Sequence, residues 1–251
     1  MMRSRPTIRS KVSLSGNLFF FFRKGIKKQA SEEAYKGQKI YAKGHLLPAE
    51  IYSFSDAHML STFTYTNAVP QIGVFNSGQW AQYEKKIREY ATNTCSPKGG
   101  DLYLITGISE ASIETGPSGL QAIQGTLKLL KPSGDAIGIP KSMWTAGCCI
   151  SPSSGALGAF AVIGNNLQDK NKVLMSEVKM TELQGFLQTG VNGFGETAIS
   201  LFPGNPGCSD PLKQVNFRKR PLTPWIISIM PKGTKMFKQE ATPPKNSFHA
   251  M

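Results

Sequence analysis

The sequence predicts an α+β protein with one domain over residues 29–212, in which a mixed, largely antiparallel sheet is flanked by helices. The chain has 251 residues, of which 40% are hydrophobic and 18% charged. This composition suits a globular protein with a sizeable core and excludes coiled coils, collagen-like fibres and wholly disordered chains. Strand-like and helix-like patterns follow one another along residues 40–91. No run of about 18 apolar residues is present, so no helix that spans a bilayer is predicted.

The positive charge of the chain is concentrated at its two ends. The formal net charge is +13, and residues 1–28 contain eight Lys or Arg and no acidic residue. Residues 213–251 contain eight Lys or Arg and one acid, Glu240, whereas residues 29–212 have a net charge of −2. We therefore expect the basic ends to attract polyanions, while the charge of the whole chain says little about the function of the domain.

The two ends are predicted to have little regular structure. Residues 1–28 combine a basic start with the short apolar run Leu18-Phe19-Phe20-Phe21-Phe22, which Ser, Gly and Asn separate from other apolar residues. This pattern gives the basic element of a secretory signal but not the long apolar run or the cleavage site. Residues 213–251 form a basic, proline-containing segment typical of a poorly ordered tail.

The four cysteines, Cys95, Cys148, Cys149 and Cys208, allow two interpretations. An even number suits a disulfide framework in an extracellular protein. A bond between adjacent Cys148 and Cys149 would be strained, which leaves Cys95 and Cys208 each to pair with one of them. The alternative is four buried free thiols in a cytosolic protein. A zinc site is not expected, because the chain has no Cys-x-x-Cys pair and three His.

The stretch before residue 76 predicts two strands. Residues 40–48 begin like a strand and are interrupted by Gly44 and Pro48, which places His45 at a strand end or turn. Residues 61–69 alternate β-branched and aromatic side chains and predict a second strand that ends before Pro70.

A helix is predicted over residues 75–91, with Asn76 or Ser77 as its N-cap. Trp80, Ile87 and Ala91 would form its apolar stripe, flanked by tyrosine. Two strands and a helix with polar residues near its start make a ββα unit.

Three motifs occur in order within this unit. They are Ala42-Lys43-Gly44-His45, Thr66-Asn67-Ala68-Val69-Pro70-Gln71 and Asn76-Ser77-Gly78-Gln79-Trp80-Ala81-Gln82-Tyr83-Glu84. Together they resemble the DNA/RNA non-specific endonucleases, the ββα-metal or His-Me finger nucleases, whose hallmark is Asp-Arg-Gly-His, Thr-Asn-x-x-Pro-Gln and Asn-x-Gly-x-Trp-x-x-x-Glu. Residues 101–107 resemble the strand that follows the helix in this family. Residues 139–149, Leu201-Phe202-Pro203 and Cys208 are similar to the vertebrate endonuclease domain-containing 1 proteins, a narrower group of secreted type.

The resemblance implies Mg²⁺-dependent cleavage of DNA and RNA without sequence specificity, in an extracellular setting. It implies that His45 is the general base and that Asn76 holds one Mg²⁺ or Mn²⁺ through its amide oxygen. Lys43 and Glu84 would support catalysis. Glu84 lies eight residues after Asn76, about 12 Å along a regular helix. It would therefore act through a metal-bound water, unless Asn76 precedes the helix proper. Asn67 and Gln71 match positions near the substrate phosphate or the His-bearing turn.

Three departures from the family pattern favour a different function. Ala42 replaces the Asp of the family. Lys43 replaces its Arg, and a lysine cannot make the bidentate phosphate contact of an arginine. Residues before Gln29 do not resemble the family's early strand, which carries a further phosphate-contacting Arg. We therefore expect this strand to be missing, as in a truncated or alternative product. The alternative function is a catalytically impaired, secreted protein that binds nucleic acid or a protein partner.

Each candidate residue also has an ordinary structural explanation. His45 could be a surface residue of a turn, Asn76 a helix cap and Trp80 a core residue. Glu84 could form a helix-surface ion pair with Arg88, four residues later. The joint spacing of the motifs, rather than any single residue, favours the catalytic interpretation.

Overall fold

A five-stranded sheet forms the centre of the protein. The structure, a computed structural model, describes residues 8–12, 30, 32–116, 119–125, 128–130, 136–169, 175–189 and 199–217. The strand order in the sheet is β1-β4-β9-β10-β11. These strands are Ile8–Val12 (β1), Asp101–Ser109 (β4), Ser142–Ser151 (β9), Gly155–Asn165 (β10) and Met175–Val178 (β11). β1 is parallel to β4 and the other neighbours are antiparallel, so the predicted mixed, largely antiparallel sheet is confirmed.

The remaining strands form three separate pairs. They are Tyr41–His45 (β2) with Ala68–Ile72 (β3), Ser112–Gly116 (β5) with Gly119–Ile123 (β6), and Lys128–Leu130 (β7) with Ile137–Ile139 (β8). The helices are Glu32–Tyr35 (α1), Asp56–Ser61 (α2), Gly73–Phe75 (α3), Ala81–Tyr90 (α4) and Met180–Thr189 (α5). Short 3₁₀ turns cover Tyr65–Asn67, Ser96–Lys98, Pro206–Ser209 and Pro211–Lys213. Within the described ranges, no helix has the length and apolarity that crossing a membrane requires.

The two faces of the central sheet pack against different parts of the chain, because successive strand residues point to opposite sides. On one face, residues of β9 and β10 such as Trp144 and Ile163 form a core with Met180, Leu183 and Leu187 of α5. On the other face, the Tyr90 ring at the end of α4 meets the Phe160 ring of β10 edge-on at 5.9 Å. The sheet therefore separates α5 from the ββα unit in the predicted α+β arrangement.

Two disulfides join these layers through adjacent residues of the central strand β9. Cys95 pairs with Cys149 and Cys148 pairs with Cys208. The expectation that Cys95 and Cys208 each bond to one of the adjacent cysteines is confirmed. The alternative of four free thiols is wrong, since the chain has no free cysteine.

The strand β1 corrects one expectation about the N-terminal segment. Residues 8–12 pair in parallel with β4, with Ile8 opposite Leu102 and Arg9 opposite Tyr103. The sheet therefore has an early strand, and the expectation that this strand is missing is wrong. The rest of residues 1–28, and the tail beyond residue 217, lie outside the described residues. The chain divides into a compact unit that ends at Asn216 and a second that begins at Phe217.

Candidate active site on the ββα unit

His45 is the last residue of β2, at the strand end where the sequence predicts it. In the antiparallel pair of β2 and β3, His45 lies opposite Ala68 and Lys43 lies opposite Pro70. Residues two apart on a strand share a face, so Lys43 and His45 are on one face of β2. Ala42 and Gly44 are on the other. A candidate base and a candidate cation are thus presented side by side.

Gly44 allows the strand to pass directly over the side chain of Gln71. A Cβ atom at Gly44 would overlap Gln71 Oε1, so no larger residue fits without moving Gln71. Gln71 is fully buried and its amide Nε2 donates to Met143 Sδ of the central sheet. Its Oε1 has no hydrogen-bond partner among the described residues. Gln71 therefore lies beneath the strand, on the face opposite to His45.

Asn67 fastens the turn that follows His45. Its Oδ1 accepts a hydrogen bond from Leu47 N at 2.8 Å, and its Nδ2 donates to Leu47 O at 3.0 Å and to Thr62 O at 2.8 Å. Its backbone oxygen also accepts from Leu46 N. The buried amide uses its donor and acceptor groups within the protein, so Asn67 lies at the His-bearing turn rather than facing solvent.

The imidazole of His45 is half-buried beside an exposed aromatic ring. The rings of His45 and Phe63 are 4.7 Å apart and nearly perpendicular. Burial lowers the pKa of His45 below its ordinary value, because removal from water disfavours the charged form. The neutral imidazole that a general base needs is therefore favoured at neutral pH.

Lys43 is exposed and interacts with Tyr65, two residues after Phe63. Its Nζ donates to Tyr65 Oη at 3.4 Å and lies 5.5 Å from the centre of the tyrosine ring. The two strand residues Lys43 and His45 thus each contact one aromatic residue of the same neighbouring segment.

The prediction of a strand over residues 61–69 is wrong for most of its length. Ser61 ends α2, residues 65–67 form a 3₁₀ turn, and β3 begins at Ala68 and continues through Pro70. The sequence alone does not indicate which residue supports a strand that continues through Pro70. The side chain of Asn166 accepts from Ile72 N at 2.7 Å and donates to Pro70 O at 2.9 Å, so it binds the second edge of β3.

The helical segment after β3 begins earlier than predicted and is broken near its start. It runs through α3, a π-helical stretch at Asn76–Trp80 and α4, with Gly78 at φ −101° and ψ −114°. Ile72 occupies the N-cap position and Asn76 has helical dihedrals, so the prediction of Asn76 or Ser77 as N-cap is wrong. The break at Gly78 separates Asn76 from Glu84 in α4. The two side chains therefore do not belong to one regular helix.

Glu84 is partly buried in the first turn of α4, close to the segment after His45. Burial raises the pKa of Glu84 to about 8, the neighbouring Trp80 side chain lowers it by hydrogen bonding, and the negative charge of Glu50 raises it. Arg88, expected as the partner of Glu84, pairs with Glu50 at 2.8 Å. Glu50 lies five residues after His45, so this ion pair joins α4 to the His-bearing segment.

The donor atoms of this region suit a hard divalent cation. Asn76 is partly exposed and offers an amide oxygen, and Glu84 in the first turn of α4 offers a carboxyl group. No group of three or more His, Cys, Asp or Glu side chains that could hold a metal occurs in the described part of the chain. A hydrated Mg²⁺ with one direct protein ligand needs no such group.

Residues 6–196 match the model of the DNA/RNA non-specific endonuclease family. The chain belongs to this family. The resemblance carried by the three motifs is thus confirmed, and the match extends upstream through β1. Human endonuclease domain-containing 1 protein is 27% identical over 161 residues, which cover 62% of this chain and 27% of that protein. The chain thus spans about a quarter of the length of this curated relative. A crystal structure of the EndoG/EndoGI complex is similar with a TM-score of 0.49 and 17% identity, covering 66% of this chain and 67% of that one.

Three residues near the site were missed from the sequence. Glu50 and Phe63 lie between the motifs, and Asn166 is far from them along the chain. Phe63 stands three residues before the Thr-Asn-x-x-Pro-Gln motif, and this position is the one sequence signal that could have drawn attention to it. Glu50 and Asn166 act through contacts that only the folded chain creates.

Proposed function

We propose that this chain is a metal-dependent endonuclease that hydrolyses phosphodiester bonds of DNA and RNA without sequence specificity. Family membership supports the reaction class. The observation that carries the assignment of the base is the half-buried His45, whose pKa is lowered and whose turn is fastened by Asn67.

In the proposed reaction, His45 removes a proton from a water molecule, whose oxygen attacks the phosphorus atom as the bond to the 3′ oxygen breaks. Lys43 contributes positive charge to the phosphate from the same face of β2. Asn76 would hold the metal directly and Glu84 would hold it through water. When bound, Mg²⁺ or Mn²⁺ supplies electrostatic stabilisation of the charge that develops on the phosphate and the leaving oxygen.

Substitution of His45 tests this proposal. Purified protein is incubated with supercoiled plasmid and Mg²⁺, with and without EDTA, beside His45→Ala and the control His58→Ala. His58 is exposed on α2 and has no proposed catalytic role. We expect EDTA and His45→Ala each to lower cleavage at least ~100-fold, consistent with loss of a general base, while His58→Ala cleaves like the wild type. Cleavage that survives His45→Ala would contradict the proposal.

A catalytically impaired nucleic-acid or protein binding module is the second candidate. Ala42 favours it, because the chain lacks the carboxylate that the family has at this position. Absence of cleavage by a folded wild-type protein, together with retained nucleic-acid binding, would support this alternative. Either activity is proposed for an oxidising, extracellular compartment, where two disulfides persist.

A further inference from the structure

An aromatic pair borders the candidate active site, and nothing in the proposed chemistry uses it. Phe63 and Tyr65, here called the aromatic rim, face the two functional residues of β2. Phe63 contacts the His45 ring, and Tyr65 contacts Lys43. Phe63 keeps 62% of its surface exposed despite this contact. Single exposed apolar residues are ordinary, so the position of Phe63 beside the candidate base matters more than its exposure.

Phe63 is held in a fixed position relative to His45. The Asn67 amide binds Leu47, two residues after His45, and Thr62, the residue before Phe63. Phe63 N also donates to Leu60 O at 3.1 Å. One buried amide thus holds the backbone of both the His-bearing turn and the start of the aromatic rim, so the backbone that carries the phenyl ring is in place before a ligand arrives.

Charge alone gives residues 29–212, which carry the candidate site, little attraction for nucleic acid. Residues 29–212 have a net charge of −2 and contain Arg88 as their one arginine, which is paired with Glu50. Lys43 beside the aromatic rim supplies a local cation for a phosphate. An exposed aromatic ring next to such a cation suits a nucleotide, whose base stacks while its phosphate lies near the charge. Every base has a π-face, so stacking is compatible with cleavage that is not sequence-specific.

We propose that Phe63 is a stacking platform for an unpaired nucleobase next to the cleaved phosphate, which makes single-stranded DNA and RNA the preferred substrates of this site. The bases of a duplex are already stacked on one another and do not offer a free face. The cleavage test of this inference rests on the proposed nuclease function, whereas the binding test does not.

The test compares Phe63→Ala with Phe63→Trp and with the control Leu60→Ala. Leu60 is 64% exposed, its backbone oxygen accepts from Phe63 N, and its side chain has no role in the proposal. Each variant, confirmed as folded by circular dichroism, is assayed for kcat/KM on a single-stranded oligonucleotide and on a hairpin duplex of equal length. We expect Phe63→Ala to lower the single-strand value about tenfold more than the duplex value. Phe63→Trp and Leu60→Ala should keep the wild-type ratio.

Binding is measured separately in the His45→Ala background with EDTA, by fluorescence anisotropy of a labelled oligothymidine at two salt concentrations. Loss of stacking should weaken binding by about the same factor at both concentrations, because the phenyl ring carries no charge. If the wild type does not cleave but Phe63→Ala still weakens single-strand binding, the nuclease proposal fails and the stacking proposal stands. Equal losses on single strands and duplex, or no loss at all, would overturn the stacking proposal. Absence of any single-strand binding would also overturn it.

Discussion

At the scale of single residues, the proposed base is a histidine whose surroundings favour its neutral form. His45 is the last residue of β2 and directly follows Gly44. The Gln71 side chain fills the space where a Cβ at residue 44 would lie. The His45 imidazole is partly removed from water and meets the Phe63 ring. The protonated form is disfavoured as a result, and the free base is available at a lower pH than for a histidine in water.

This environment predicts the pH dependence of the reaction. The folded pKa of His45 is below its ordinary value of 6.5, so kcat/KM should rise with pH along a limb whose midpoint lies below 6.5. Because Phe63 contributes to the burial, the midpoint for Phe63→Ala should move upward, toward the ordinary value. The measurement is a profile of kcat/KM at saturating Mg²⁺ and constant ionic strength. A wild-type midpoint at or above 6.5 would contradict the assignment of His45 as a base with a lowered pKa.

At the scale of elements, each of the two disulfides links the central sheet to a segment on a different face. Cys95 lies at the end of the helical segment that carries Asn76 and Glu84, and its bond to Cys149 fixes that segment to β9. Cys208 fixes the 3₁₀ turn at Pro206–Ser209 to the neighbouring Cys148. The chain separations are similar, 54 and 60 residues, so the two bonds constrain the unfolded chain to a similar extent.

These similar separations make the two bonds a matched pair for mutagenesis. The double variants Cys95→Ala/Cys149→Ala and Cys148→Ala/Cys208→Ala should each lose about 4 kcal/mol of unfolding free energy. We expect cleavage by the folded protein to fall mainly in the Cys95/Cys149 variant, because only that bond anchors the helix of the candidate site. Urea titrations measure the first effect, and kcat at a temperature where both variants are folded measures the second. An equal loss of kcat in both variants would show that the bond to the site helix has no special role.

The elements also show which parts of the fold the sequence could predict. Local patterns predict His45 at a strand end, the apolar stripe of Trp80, Ile87 and Ala91, and the pairing of Cys95 and Cys208 each with one of the adjacent cysteines. The structure confirms the strand end, the burial of the stripe and the disulfides, and it settles which of the adjacent cysteines pairs with which partner. The strand predicted over residues 61–69 failed because Ser61 ends α2 and residues 65–67 form a 3₁₀ turn. Its predicted end before Pro70 was also wrong, since β3 continues through Pro70. In the folded protein the distant Asn166 side chain supports that edge of β3. The prediction of the helix cap failed because the helical segment begins at Gly73, with Ile72 at the N-cap position.

At the scale of the whole molecule, the positive charge of the chain lies mainly outside residues 29–212. Residues 29–212 are nearly neutral, whereas residues 218–251 contain seven Lys or Arg and one Glu. The early strand β1, missed from the sequence, shows that a basic segment can still contribute to the sheet. The five residues 8–12 are too few to predict a strand by themselves, and their parallel partner β4 is distant along the chain.

The charged tail should determine how strongly duplex binding depends on salt. Each phosphate neutralised by a Lys or Arg releases counterions and contributes about −0.9 to the slope of log K against log salt for B-form DNA. We expect a full-length variant with the seven basic residues of 218–251 replaced by Gln to have a shallower slope, by about 0.9 for each phosphate that the wild-type tail neutralises. Binding is measured in the His45→Ala background with EDTA, so that cleavage does not interfere. A control variant exchanges Lys for Arg, and Arg for Lys, at the same positions and should keep the wild-type slope. If the Gln variant also keeps that slope, the phosphate contacts come from outside the tail, through local charges such as Lys43 or through residues 1–28.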